Sequence, residues 1–351
     1  MRSSVRRFDA FQRRRPWAGV PVAVVYKFAE DQGGYLAALI AFYGFLSVFP
    51  LLLLLVSVLG FVLHGDPAAQ RQVLHSALSQ FPVIGDQIGE NIRSFKGSPL
   101  AVAAGALGGL YGVLGVAQAA QNALAKVWAV PRYVRPDPFR ARLRSLLAVL
   151  VLGAGLVAST ALAALSAQTS SFGEHFGAAP RLVAALLSVA LNAALVLAAF
   201  RVLGPRTVTW RPLGGTAACA AVLWHGVQWA GTFYVRHELT GTTATYGLFG
   251  IVLGLVTWIY LGALIFVLAA ETASVRARRL WPRSLLTPFT DHVTLSAADQ
   301  RAYTSYAMTE TFKGFERVEV SFEPPPVRRR PGARPAAEEE DDGDVGGADV
   351  E

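Results

Sequence analysis

The chain has 351 residues, 53% of them hydrophobic and only 16% charged. A soluble domain carries about 25% charged residues, so this composition excludes an ordinary soluble protein. The net charge of +8 points to nucleic acid in a soluble chain. Here the bases flank apolar runs, so they are assigned to membrane orientation and no nucleic-acid partner is expected.

In chain order, residues 1–36 form a basic tail, within which Val20–Phe28 is predicted as a helix on the inner membrane surface. Six apolar stretches follow: Ala37–Leu63, Leu100–Ala125, Leu146–Ala167, Leu182–Phe200, Leu213–Val235 and Tyr246–Ala270. Each approaches the roughly 20 residues that a helix needs to cross the hydrocarbon core. Backbone groups in lipid must bond internally, so the stretches are helices. The predicted fold class is an all-α polytopic membrane protein, with six transmembrane helices in a domain over residues 37–276. Between the first two spans, Val73, Leu74, Ala77, Leu78 and Phe81 share one helical face, which predicts an amphipathic helix on the outer surface. Residues 277–322 form a C-terminal segment on the inner side. Within it, Ser296-x-x-Asp299 resembles a capping box and predicts a helix near Ala297–Phe312. Residues 323–351 are Pro, Arg, Gly and acids, a composition that predicts disorder. The last fourteen, Glu338–Glu351, hold eight acids and no base.

Lys and Arg set the orientation. Of 32 such residues, 27 fall on the N-tail, the second-to-third and fourth-to-fifth loops, and the C-tail. The expected topology has both termini cytoplasmic, in a multi-pass protein of the bacterial plasma (inner) membrane. No cleavable signal is expected, because the first apolar run starts after residue 35 and is too long for a signal core. The single cysteine, Cys219, excludes an internal disulfide.

Several residues in the spans need a physical reason. Pro50 interrupts the first span and frees the carbonyl of Leu46, with Ser47 beside it to take up lost bonding. It is either a plain kink or a bend that lines a cavity. Gly105-x-x-x-Gly109 and Gly108-x-x-x-Gly112 form small-residue seams in the second span, and Gly250-x-x-x-Gly254 repeats the pattern in the sixth. Such seams allow close helix packing within the chain or in a homo-oligomer. Gln118, Asn122 and Lys126 lie one turn apart on one face. Ser188 with Asn192, and His225 with Gln228 and Thr232, repeat helical spacing. These polar faces form either a path inside the bundle or interhelical hydrogen bonds. Glu271, at the cytoplasmic end of the sixth span, either snorkels to water or binds a cation, proton or basic headgroup. His225 is nearer mid-span, as a proton-responsive group or a packing donor.

Enzyme motifs are missing. The six histidines are scattered without metal-ligand spacing, and no P-loop, G-x-S-x-G or paired-carboxylate motif occurs. No enzymatic activity and no cofactor are expected.

Three blocks carry a resemblance. Ala37–Leu51 reads AALIAFYGFLSVFPL, with Asp31 just before it. Asn122–Trp128 reads NALAKVW. Thr245–Gly250 reads TYGLFG, followed by Trp258-Ile-Tyr260 and Ala270-Glu271. In order and spacing these blocks resemble the YihY/BrkB family of bacterial membrane proteins over about residues 28–276. Where the family commonly has Gly-Ala-Glu, this chain has Ala269-Ala270-Glu271. The resemblance implies an inner-membrane protein; some members carry a virulence or serum-resistance label. An older label for the family is a tRNA-processing ribonuclease, against which stand the missing metal motif and the lack of a soluble domain.

The expected function is movement of a lipid or other amphiphile across or within the membrane, with Glu271, Asn122, Gln118, His225 and Pro50 as candidate residues of a polar path. Membrane lipids are the expected partners. The alternative is a non-transporting cell-envelope scaffold or resistance factor that organises envelope proteins.

Overall fold

The computed structural model describes residues 2–62, 99–170, 179–206, 208, 210–238, 243–287, 289–290 and 293–323. The surface helix predicted around residues 73–81 and the acidic tail after residue 323 lie outside the described residues. All regular structure among the described residues is helical. Two short helices, α1 (Arg2–Arg14) and α2 (Pro16–Glu30), precede six long ones. These are α3 (Gly33–Val62), α4 (Pro99–Val127), α5 (Pro138–Ser170), α6 (Ala179–Leu203), α7 (Trp210–Glu238) and α8 (Thr243–Arg278). A last short helix, α9, covers Ala297–Thr309.

Each predicted span falls on one long helix. The shortest of the six, α6, has 25 residues, or about 37 Å at 1.5 Å per residue. Two stretches among the described residues are long and apolar enough on their own to cross a bilayer: Leu186–Leu203 and Val252–Arg278. Gly33–Val48 is apolar but shorter. Only 17% and 28% of the two long windows are buried within the protein, so most of their apolar surface faces outward rather than into a core.

The long helices form a ring. Each packs on the next in sequence, and α8 returns to pack on α3. Helix α2 lies against α8 and α3. The interior is lined by small residues, among them Ala37, Ala41, Ala117, Ala120, Ala263, Ala270 and Ala273. The α3–α4 seam shows why. A Cβ on Gly112 would sit 2.8 Å from the Cα of Ser47, and one on Gly108 would sit 3.3 Å from the Pro50 ring. Thus Gly108 and Gly112 serve packing within the chain. Pro50 stands inside a continuous helix and packs on Gly108. The expected rescue of the Leu46 carbonyl by Ser47 does not occur: Ser47 Oγ donates to the carbonyl of Gly44 at 2.7 Å, the partner one turn back that a helical serine reaches.

Helix ends set the entry to the site. Pro16 opens α2, a position that lacks an intrahelical N–H partner anyway. Helix α4 ends in a Schellman turn: Val130 N–H reaches the carbonyl of Ala125 and Ala129 N–H that of Lys126, both at 2.8 Å. Helix α9 starts with the capping box read from the sequence, Ser296 and Asp299 each satisfying the other's backbone N–H.

Candidate functional site

Two polar constructions stand out: a buried ion network and a basic cleft. The network starts on α2. Lys27 is fully buried and donates to Asp31, one turn on. Its Nζ also lies 3.1 Å from Glu271 Oε2 on α8. Neither the Lys27 nor the Glu271 side chain is exposed. Glu271 therefore does not snorkel to water; its cation is the chain's own Lys27. The ring of Tyr306 on α9 lies 5.8 Å from the ammonium.

A second hub, Arg283, joins the two ends of the chain. Its fork grips Glu30 at 2.6 and 3.0 Å, and its Nε donates to Asp299 at 2.7 Å. Tyr306 donates its hydroxyl to Glu30 at 2.8 Å. Around this hub, Arg13 donates to Ser284 at 2.7 Å and Tyr26 to the carbonyl of Leu285 at 2.8 Å. Burial works against the Asp299 carboxylate, but the Ser296 backbone and Arg283 outweigh it and hold the group below the usual carboxylate range. Burial, with the nearby Asp31 and Glu30, pushes the Tyr306 phenol upward. The two carboxylates, Glu30 and Asp299, hold Arg283 firmly charged despite its burial.

These contacts gather the basic segments at one end of the ring. Residues 9–31 touch residues 271–306 through the network just described. The loop after α4 joins the same end, since Arg132 pairs with Glu310 at 2.9 Å. The loop after α6 meets the loop after α4 across a shared cleft. The four segments that the charge count assigned to one side thus lie together.

The cleft between α4, α5 and the α6–α7 loop has a volume of about 1250 Å³. Gln118, Gln121 and Asn122 of α4 line it, together with Arg135, Arg140, Arg142, Arg144 and Arg206. Gln121 ties two walls together, donating to Ser145 Oγ at 2.7 Å and to the carbonyl of Ala141 at 3.1 Å. Gln118 and Asn122 have no hydrogen-bond partner among the described residues, and Asn122 is exposed. Burial lowers the affinity of Arg144 for its proton, and Arg206 and Arg140 add to this. Burial acts on Arg135 in the same sense, with Arg132.

The structure separates the candidate residues. Gln118 and Asn122 share the cleft. Glu271 faces α2 instead. His225 Nε2 meets Asn192 Nδ2 at 3.3 Å between α7 and α6. Pro50 faces α4. No single path joins all five. Sequence reasoning missed Lys27, Glu30, Arg283, Asp299 and Tyr306. The i, i+4 pair of Lys27 and Asp31 was a local signal; the Arg283–Glu30 pairing, 253 residues apart, had none.

A family model described as Virulence factor BrkB matches residues 24–288. No curated protein and no solved structure matches the chain. The matched segment takes in α2 from Val24, all six long helices and Arg283, so the cleft and the Lys27–Glu271 and Arg283–Glu30 pairs lie inside it, while Asp299 and Tyr306 of α9 lie beyond it.

Proposed function

The chain belongs to the Virulence factor BrkB family, and from that premise we propose that it is a six-span membrane protein that moves a lipid or other amphiphile across or within the bacterial inner membrane. The cleft carries this reading. It offers free amides of Gln118 and Asn122 to a polar head. Beside it, α5 presents Leu143, Leu146, Leu147 and Leu150, each at least 41% exposed, to an acyl chain. A polar socket opening onto an outward apolar strip suits a molecule with a head and a tail.

Membrane insertion has separate support. Large apolar side chains are exposed on every long helix with described side chains, including Leu107, Val157, Leu186, Trp229 and Leu253. Exposed surface of this kind is stable in lipid and costly in water. The shared end of the N- and C-terminal segments agrees with an even number of crossings. The chemistry is binding and movement rather than catalysis, and needs no cofactor.

The test is lipid movement in liposomes holding the full-length protein. A headgroup-labelled fluorescent lipid reports exposure to an added quencher. Wild type is expected to quench faster than empty liposomes, and Gln118→Leu with Asn122→Leu to return toward them. Quenching equal to empty liposomes would overturn the reading. A cell-envelope scaffold is the second reading, favoured by Phe289 and Phe315, which are 80% and 90% exposed on the C-terminal segment. Phe289→Ser with Phe315→Ser removes that exposed apolar surface while sparing the Arg283 network, and a scaffold should then lose its partners while lipid movement persists.

A further inference from the structure

We propose that the cleft is a binding site for a phosphate-bearing anion, held between Arg144 and Arg206, and that its occupant in the membrane is the headgroup of an anionic phospholipid. The lipid source deepens the function proposed above and rests on it; the anion chemistry does not.

Charge placement makes the first case. Five arginines from three segments converge on one cleft: Arg135 from the α4–α5 connection, Arg140, Arg142 and Arg144 from the first turns of α5, and Arg206 from the α6–α7 loop. The one acid among them is Asp137, whose Oδ2 lies 3.7 Å from Arg140. Among the described residues, no carboxylate pairs with Arg142, Arg144 or Arg206. Orientation alone asks for bases on one side of the membrane. It does not ask for bases from separate loops to crowd around one hollow, where like charges repel. Burial lowers the proton affinity of Arg144 first, and Arg206 and Arg140 add to this in the sense that crowding requires. An anion between them relieves it.

The choice of anion follows from the donors. A guanidinium presents a planar fork that matches phosphate oxygens two at a time. The amides of Gln118 and Asn122 add neutral donors in the same cleft. The polar wall is fixed, because Gln121 is held by Ser145 and Ala141. Tail placement makes the second case. Arg144 lies one turn before the exposed Leu147 and two before the exposed Leu150 on α5. A headgroup at Arg144 therefore places its acyl chains along an apolar strip of the same helix.

The test uses the full-length chain in detergent, with native mass spectrometry. Phosphatidylglycerol and phosphatidylcholine of identical tails compete in equal amounts. Wild type is expected to retain phosphatidylglycerol over phosphatidylcholine by about tenfold, a difference of about 1.4 kcal/mol. Arg144→Gln with Arg206→Gln should lose that preference. Arg144→Lys with Arg206→Lys should keep most of it and reports on folding, as does Arg317→Gln, far along the C-terminal segment. Inorganic phosphate is titrated separately. Phosphate binding that depends on the two arginines, without preference for phosphatidylglycerol, supports the anion site and overturns its lipid occupant. If neither probe depends on Arg144 and Arg206, the site is overturned. Lipid movement in liposomes that persists in that last case leaves the proposed function standing. Arginine-dependent lipid binding without movement leaves the site standing and removes the function.

Discussion

Lys27 on α2 and Glu271 on α8 meet at 3.1 Å with neither side chain exposed. Asp31 shares the same ammonium. One cation thus serves two buried carboxylates, and the pair pins the N-terminal segment to the end of the last long helix. This geometry ties Glu271 to α2 through Lys27.

The shared ammonium predicts an asymmetry. Removing Lys27 as Lys27→Met leaves two buried carboxylates facing each other, and breaking a buried ion pair from one side costs about 3–5 kcal/mol. Glu271→Gln leaves Lys27 with Asp31 as a balanced pair, so its cost should be under about 1 kcal/mol. Thermal unfolding of the purified variants in detergent measures both. A larger loss in Glu271→Gln than in Lys27→Met would contradict the assigned pairing.

Arg283 gives a second test. Arg283→Ala strands Glu30 and the buried Asp299 and should cost about 3–5 kcal/mol. Arg283→Lys keeps the charge but not the fork, and should fall between. Limited proteolysis between α8 and α9 reads the effect, because Arg283 ties residues 279–287 to the end of α2 through Glu30. Cleavage rates unchanged in Arg283→Ala would show that the hub does not hold the segment.

Asp299 makes that hold sensitive to acid. Its folded pKa lies below its unfolded value near 3.9. A depressed carboxylate contributes stability that is fully present above the unfolded value and is lost as pH falls through the folded one. The C-terminal segment should therefore loosen only below about pH 4. Asp299→Asn should weaken it at neutral pH and flatten part of the acid response. Proteolysis across a pH series, with an acid-stable protease, measures this.

The α3–α4 seam has no room. Gly112→Ala drives a methyl group to within 2.8 Å of the Ser47 backbone, so the helices must part, at about 1–3 kcal/mol. Gly153, with nothing within 4 Å of its would-be Cβ, is the control: Gly153→Ala should be neutral or stabilising. Melting temperatures of the pair decide it.

Ala129 occupies the left-handed position of the Schellman turn, with φ +47°. Glycine takes this conformation without steric cost, while a Cβ there costs about 1–2 kcal/mol. Ala129→Gly is expected to raise the melting temperature. The turn leads directly into the cleft, so unchanged lipid movement in this variant would also show that the wall tolerates a softer corner.

Much of the architecture was legible in residue order. Helix formation over the long apolar runs follows from the demand for internal backbone bonding, and six long helices stand where the runs are. The grouping of basic segments followed from counting Lys and Arg, and contacts such as Arg132 with Glu310 and Arg13 with Ser284 place those segments together. Ser296 and Asp299 announced their cap because both partners lie within one turn. Pairings across the chain were not legible. Nothing local distinguishes Arg283 from other arginines of the tail, and Lys27 read as one more orienting base until α8 brought Glu271 against it. Glu271 itself read as a path residue because a lone acid at the end of a span looks unpartnered in sequence.

Composition and period by themselves located the long helices and grouped their flanking charges, since each depends on local propensity and on the transfer cost of neighbouring residues. Tertiary structure alone decided which polar groups cancel one another and which stay free. Charge interactions act through space, so Glu271 became a buried strut while Gln118, Asn122, Arg144 and Arg206 were left facing an open cleft.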